Sequence, residues 1–228
     1  MASVAVQASF MLSTGEVVDC KTTLTEGTEG ELLTSTDYSV SAVSIGTYAE
    51  GKMITSIIQP VSAVNACSYA YLDRRGEILM ILPVQSAGVQ DEPQMPSRMI
   101  TLQAGDTIRV MCSVATNRLF ALSCITNTGV HAIFSGTPSG SGSIALTHIK
   151  SGQGLGASLT NQSIIQHFAT SIDGSKLDSG NGVYYLNDRG LPVGGCSATN
   201  TLNLQPSLNN VGGARIGLNF VARVTTNA

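Results

Sequence analysis

Three histidines, five cysteines and a scatter of carboxylates are the side chains of this 228-residue chain that could carry chemistry. His131, His148 and His167 show no H-E-x-x-H pattern and no partner at the spacing of a zinc site. His131 alternates with apolar neighbours, which reads as a core or interface imidazole rather than a base. An activated serine at a strand-to-helix elbow needs G-x-S-x-G, whereas Ser141 has glycines directly on both sides. Paired acids for glycoside hydrolysis can converge from distant strands. Asp73, Asp173, Asp178 and Asp188, however, all occupy turn-like settings in which Asp bonds its own backbone. The run from Asp173 to Gly182 lacks the residue order of a calcium loop. Gly152-x-Gly154-x-Gly156 departs from the dinucleotide fingerprint and has no Lys-Ser/Thr ending to cradle a phosphate. The sequence therefore nominates no catalytic, cofactor-binding or metal-ligating residue and no cofactor, and a non-enzymatic protein is expected.

Cys20, Cys67, Cys112, Cys124 and Cys196 are odd in number, so they cannot all pair within one chain, and none forms a C-x-x-C unit. Cys112 and Cys124 stand in strand-like apolar contexts, where a free thiol packs as a small apolar group, and reduced core cysteines are expected. The alternative is a hairpin of strands 107–115 and 119–126 about Asn117 and Arg118, which would bring Cys112 and Cys124 together across the ladder. Asn161-Gln162-Ser163 is a formal glycosylation sequon, expected to be silent without a signal peptide.

Only 12% of residues are charged, 12 Lys plus Arg stand against 15 Asp plus Glu, and the pI is near 5.5. That balance lacks the clustered basic footprint of a nucleic-acid binder, so no direct nucleic-acid partner is expected. No apolar run reaches the length of a membrane-spanning helix, and no membrane partner is expected. Soluble monomers usually keep more charge than this on their surfaces. A surface of Ser, Thr, Asn, Gln and Gly suggests burial against neighbouring subunits, the alternative being a monomeric β-domain with a solvated hydroxyl-rich surface.

The elements that must position these residues read as strands. Val4, Val6, Ala8 and Phe10 alternate, the period of a half-buried strand over 3–12. Further strands are predicted at 16–24, 38–46, 53–58, 66–72, 77–84, 98–103, 107–115, 119–126, 130–134, 143–149, 183–186, 200–204 and 214–225. Strand 77–84 is continuously apolar, so cover on both faces is expected, with Pro83 ending it. Ile164, Ile165 and Phe168 suggest one short helix from Ser158 to Ala169, capped by Thr160 or Asn161. The fold class is all-β, a jelly roll or β-sandwich with at most one short helix.

Residues 136–158 are rich in Gly and Ser and read as a loop or linker between a β-sandwich or jelly-roll domain at 1–135 and a smaller β-rich region at 159–228. A second division is also open. Tyr71-Leu72-Asp73-Arg74-Arg75-Gly76 resembles Tyr185-Leu186-Asn187-Asp188-Arg189-Gly190, and Ile108-Arg109-Val110 resembles Ala222-Arg223-Val224. These likenesses suggest a duplication into 1–118 and 119–228.

Leu102-Gln103-Ala104-Gly105-Asp106-Thr107-Ile108-Arg109-Val110, followed by Ile133-Phe134-Ser135-Gly136, resembles the late-strand pattern of jelly rolls of the tumour-necrosis-factor and complement C1q type. In composition the whole chain resembles structural proteins of bacteriophage and other virus particles. That resemblance implies a virion location and a subunit that self-assembles as a capsid, decoration or tail component, with copies of itself and other virion proteins as partners. Edge strands, including the N-terminal one, would then pair across subunit boundaries. The alternatives are a module that binds a host glycan or receptor through residues around 181–190, as at a fibre tip, and a glycoside or ester hydrolase with acids from separate strands.

Overall fold

Alternation makes the first strand. Val4, Val6, Ala8, Phe10 and Leu12 are buried along β1 (Ser3–Leu12) while Ser3, Ala5 and Gln7 face solvent. The structure, a computed structural model, describes residues 3–34, 41–63, 66–86, 95–113, 119–137, 142–170, 182–186, 192–197, 203–208 and 214–218. The chain forms two compact units, Met1–Thr116 and Asn117–Ala228.

In the first unit β1 is followed by β2 (Val17–Thr25), β3 (Glu29–Thr34), α1 (Ile45–Tyr48), β4 (Ile54–Ala63), β5 (Ala66–Arg74), β6 (Glu77–Leu82), β7 (Val84–Ser86) and β8 (Thr107–Ser113). The sheet order is β6-β5-β8-β3-β2-β1-β4-β7. Its curl follows from β3. Glu29–Leu32 pair with β8, while Leu33 and Thr34 pair with β2. One strand thus joins two differently directed parts of the sheet, which bends until β5 lies against β4 and β7. The result is all-β and sandwich-like, with Phe10, Leu32, Ile45, Ile57, Tyr71 and Leu72 among its fully buried side chains.

The second unit repeats the plan with β9 (Phe120–Thr126), β10 (His131–Gly136), β11 (Gly142–His148), α2 (Leu155–Ser158), β12 (Ile164–Thr170), β13 (Gly182–Leu186), β14 (Pro192–Ser197), β15 (Asn203–Leu208) and β16 (Ala214–Leu218). Its order, β14-β13-β16-β11-β10-β9-β12-β15, is the first order with each strand replaced by its counterpart. The match extends to single residues. Gly15 and Gly129 have φ near +80° in the turns that end β1 and β9, and their N–H groups donate to Leu12 and Thr126. Ser13 and Asn127 each donate a backbone N–H to the carbonyl of the residue before β4 or β12, Met53 or Ser163, and each side chain accepts that residue's N–H. Gly51 and Asn161 adopt left-handed φ after α1 and α2, a conformation that glycine and asparagine tolerate best. A register shift falls between Met11 and Leu12 against β4, and between Ile164 and Gln166 against β9. Two features differ. The path from Thr34 to its partner Val43 is longer than that from His148 to Gln153. β7 runs parallel to β4, whereas β15 runs antiparallel to β12.

Several sequence expectations are corrected. The region from Ser158 to Ala169 is not a helix. Asn161 turns left-handed, Thr160 Oγ1 donates back to Gly156 O to close α2, and the β-branched pair Ile164-Ile165 opens strand β12. Two four-residue helices therefore replace the single one expected, the other being α1 at the end of the stretch read as strand 38–46. Strands 107–115 and 119–126 form no hairpin, since β8 pairs with β3 and β5, and β9 with β10 and β12. Strand β6 alternates and lies at a sheet end rather than being covered on both faces. The division of the chain lies after Thr116, and the Gly/Ser-rich stretch 136–158 falls inside the second unit, where it supplies β11 and α2. Small residues there serve strand and turn alike. By its pairing to β11 and β13, β16 is the counterpart of β8, so Arg215 rather than Arg223 answers to Arg109. Ala222-Arg223-Val224 lies outside the described residues. The two segments that resemble the C1q-type jelly roll fall in different units, on the turn into β8 and on β10.

Candidate functional site

Glu29 on β3, Tyr69 and Tyr71 on β5 and Arg109 on β8 meet because those strands are neighbours and the tyrosines, two residues apart, share one face. Tyr69 Oη donates to Glu29 at 3.1 Å, Tyr71 Oη lies 3.1 Å from both carboxylate oxygens, and Arg109 Nε donates at 3.1 Å. Burial and the Glu29 charge push the Tyr69 phenol well above its ordinary range. The Tyr69 phenol therefore stays protonated as a donor, and the Glu29 carboxylate oxygens are occupied by hydrogen bonds from Tyr69, Tyr71 and Arg109. The arrangement ties three strands together. In the second unit Tyr184 and Arg215 pair across β13 and β16 as Tyr71 and Arg109 do, and Ser143 stands where Glu29 stands.

The turn from Leu102 to Thr107 is built around Asp106, which is fully buried. Arg74 Nε and Nη2 donate to its two oxygens at 2.7 Å, the Gln103 N–H donates to Oδ2 at 2.9 Å, and Gly105 takes φ +90°. Arg74 Nη2 also reaches Thr101 O, and the hydrogen bond to Asp106 raises the guanidinium's pKa. Gly46 of α1 packs on this turn so closely that a Cβ would lie 2.2 Å from Gln103 O, which fixes glycine there. Asp106→Ala is expected to destabilise the first unit by about 2 kcal/mol, since Arg74 can turn to water but the Gln103 N–H loses its acceptor. Urea unfolding should show a lower midpoint at unchanged slope.

Glu16 accepts from Tyr48 Oη at 2.5 Å and from Lys52 Nζ at 2.7 Å, fastening the β1–β2 turn to α1. These hydrogen bonds, that from Lys52 first, lower the Glu16 pKa.

Each histidine named by the sequence has a local setting. His131 is buried, with Nδ1 3.1 Å from Gly129 O. His148 packs its ring on Phe134, and its Nδ1 meets both the Ser151 N–H and Ser151 Oγ at 3.3 Å. This Ser–His contact lacks a triad's geometry. The ring nitrogen that faces Ser151 already accepts the Ser151 backbone N–H, so it is not held for the hydroxyl alone. Burial, followed by Lys150, lowers the His148 pKa. His167 is buried on β12 opposite Cys124. Asp73 accepts the Gly76 N–H at 3.0 Å, so it serves its turn. Ser141, Asp173, Asp178 and Asp188 lie outside the described residues. Gly152 takes a left-handed φ in the turn before α2, Gly154 is the N-cap of α2, and Gly156 lies buried within it.

A shallow cleft of about 380 Å³ lies over β1, β2 and the end of β4, lined by Ala5, Gln7, Lys21, Thr23 and Ser62 among others. It offers amide, ammonium and hydroxyl groups and no carboxylate. Among the described residues no three His, Cys, Asp or Glu side chains gather at metal-binding distance. The sequence reading missed the Glu29 and Asp106 clusters, whose members are brought together only by strand pairing. Their local signals were the Tyr69/Tyr71 spacing and the L-x-x-G-D turn. No protein-family model, curated protein or solved structure matches the chain.

Proposed function

We propose that this chain is a non-enzymatic structural subunit of a virus or phage particle, a capsid, decoration or tail component that works by association. The observation that carries the reading is the internal repeat of one eight-stranded plan in the same order. A chain with two units of one strand plan can make contacts through both, so each subunit can gain by multivalency. Among the described carboxylates, Glu16, Glu29 and Asp106 are engaged in structural ties, which supports a structural rather than a catalytic use of these three. Low overall charge favours lateral packing. Partners are then copies of the chain and other virion proteins, and the location is the particle.

Contact would fall on sheet faces and sheet ends other than β6, where Ser97 Oγ already accepts the Ile81 N–H at 3.0 Å. Size-exclusion chromatography with light scattering should give a mass that is a multiple of 23.6 kDa and grows with concentration. A monomer at millimolar concentration would count decisively against a self-assembling subunit. The cleft over β1 and β2 favours a second reading, a module that binds a glycan or receptor. Glycan-array binding lost in Lys21→Ala and Gln7→Ala would select it.

A further inference from the structure

The ladder between β5 and β8 places Cys67 directly opposite Cys112, with their Sγ atoms 3.6 Å apart and both side chains fully buried. We propose that Cys67 and Cys112 form a redox latch, a dithiol that closes to a disulfide and staples β5 to β8 in the first unit. Opposed residues on antiparallel strands have Cα atoms about 4.5–5.5 Å apart, within the range a disulfide spans. Closing the gap to a bond of about 2.05 Å needs side-chain rotation rather than strand movement.

The two thiols are not alike. The hydrogen bond from Cys67 lowers the Cys112 pKa, and the same bond together with burial raises that of Cys67. Cys112 is thus the sulfur that ionises first. With hydrogen peroxide, a two-electron oxidant small enough to enter a packed sheet, its thiolate attacks one peroxide oxygen. An S–O bond forms, the O–O bond breaks, and hydroxide leaves and is protonated to water. Cys67 Sγ then attacks the Cys112 sulfenic sulfur, the S–S bond forms, and a second water departs. Two thiols are oxidised and one peroxide is reduced to two waters.

The latch belongs to one unit. At the place of Cys112 the β16 ladder carries Leu218, so the second unit is an internal control. The remaining described cysteines, Cys20 and Cys124, lie in different units, on β2 and β9.

The test treats the folded, fully reduced, full-length protein with limiting peroxide, then unfolds and alkylates it. We expect a mass loss of about 2 Da with three of the five cysteines still alkylated, and a linked Cys67–Cys112 peptide that dithiothreitol releases. The bond closes a long loop, so the temperature at which amide protection is lost in β5 and β8 should rise by roughly 10–20 °C, with β13 and β16 unmoved. Cys112→Ser, close in shape, should show neither the linked peptide nor the rise. Links between other cysteines, sulfinic acid without a link, or five free thiols after treatment would each overturn the proposal. So would a Cys67–Cys112 link that leaves the first unit's thermal protection unchanged.

Discussion

Removal of residues 1–12 is expected to unfold the first unit and leave the second folded. The sequence reading made the N-terminal segment an edge strand, free to pair across subunits, so that its loss would spare the fold and weaken assembly. In the structure β1 lies inside the sheet, laddered to β2 on one side and β4 on the other. It also buries Val4, Val6, Ala8, Phe10 and Leu12. At about 1.5–3 kcal/mol for each large buried aliphatic or aromatic side chain, their loss alone matches the 5–15 kcal/mol by which a domain is stable. Two ladders of backbone groups would lose their partners as well. The second unit has its own equivalent strand, β9, between β10 and β12. Hydrogen exchange on the truncated chain should show protection abolished in β2, β4, β5 and β8 and retained in β9, β10 and β12. A truncated protein with full protection in the first unit would show that β1 is dispensable after all.

The error over β1 shows where sequence reading stops. Alternation established that β1 is a strand and which residues it buries, because a period of two is written in consecutive residues. Whether both its edges are paired depends on β2 and β4, and the partner on β4 begins more than forty residues away. The same limit explains the missed clusters, since Glu29 and Arg109 touch only because β3 and β8 are adjacent. The all-β class was legible from strand-sized apolar segments and turn glycines. The repeat was legible only faintly, through Tyr-Leu turns that the register sets one residue apart, Tyr71 answering to Tyr184 rather than Tyr185, because its two copies share register and turn geometry more than residue identity. Phe10 pairs with Ile57 in the first unit, and Cys124 pairs with His167 at the equivalent place in the second. The solvent-facing side differs too. Exposed Gln7 and Asp19 have as counterparts the buried Ala121 and Ile133, so β1 alternates visibly and β9 reads as a continuous apolar run. The helix misreading at Ser158 to Ala169 arose because Ile164, Ile165 and Phe168 satisfy a helical spacing over too short a window to separate it from a buried strand.

That same exchange of Ile57 for His167 gives the second unit a pH dependence that the first lacks at this position. His167 is 1% exposed, and burial brings its pKa down to about 4. In the unfolded chain a histidine titrates near its ordinary value of about 6.5. Between those values the unfolded state binds a proton that the folded state refuses, so stability rises with pH across the window. The contribution is complete above about pH 6.5, declines as pH falls towards 4, and is spent below that, where both states are protonated. A difference of about 2.5 pK units corresponds to roughly 3 kcal/mol lost from the second unit between pH 7.5 and pH 4. His167→Ile installs the residue that occupies the equivalent place in the first unit and should remove this part of the slope. Its unfolding midpoint, followed through β9 and β12 amides in urea at pH 7, 6, 5 and 4, should then fall less steeply than that of the parent. Parallel curves for the parent and His167→Ile would mean that His167 takes up its proton without unfolding the strand, and that its burial is not what sets its acid response.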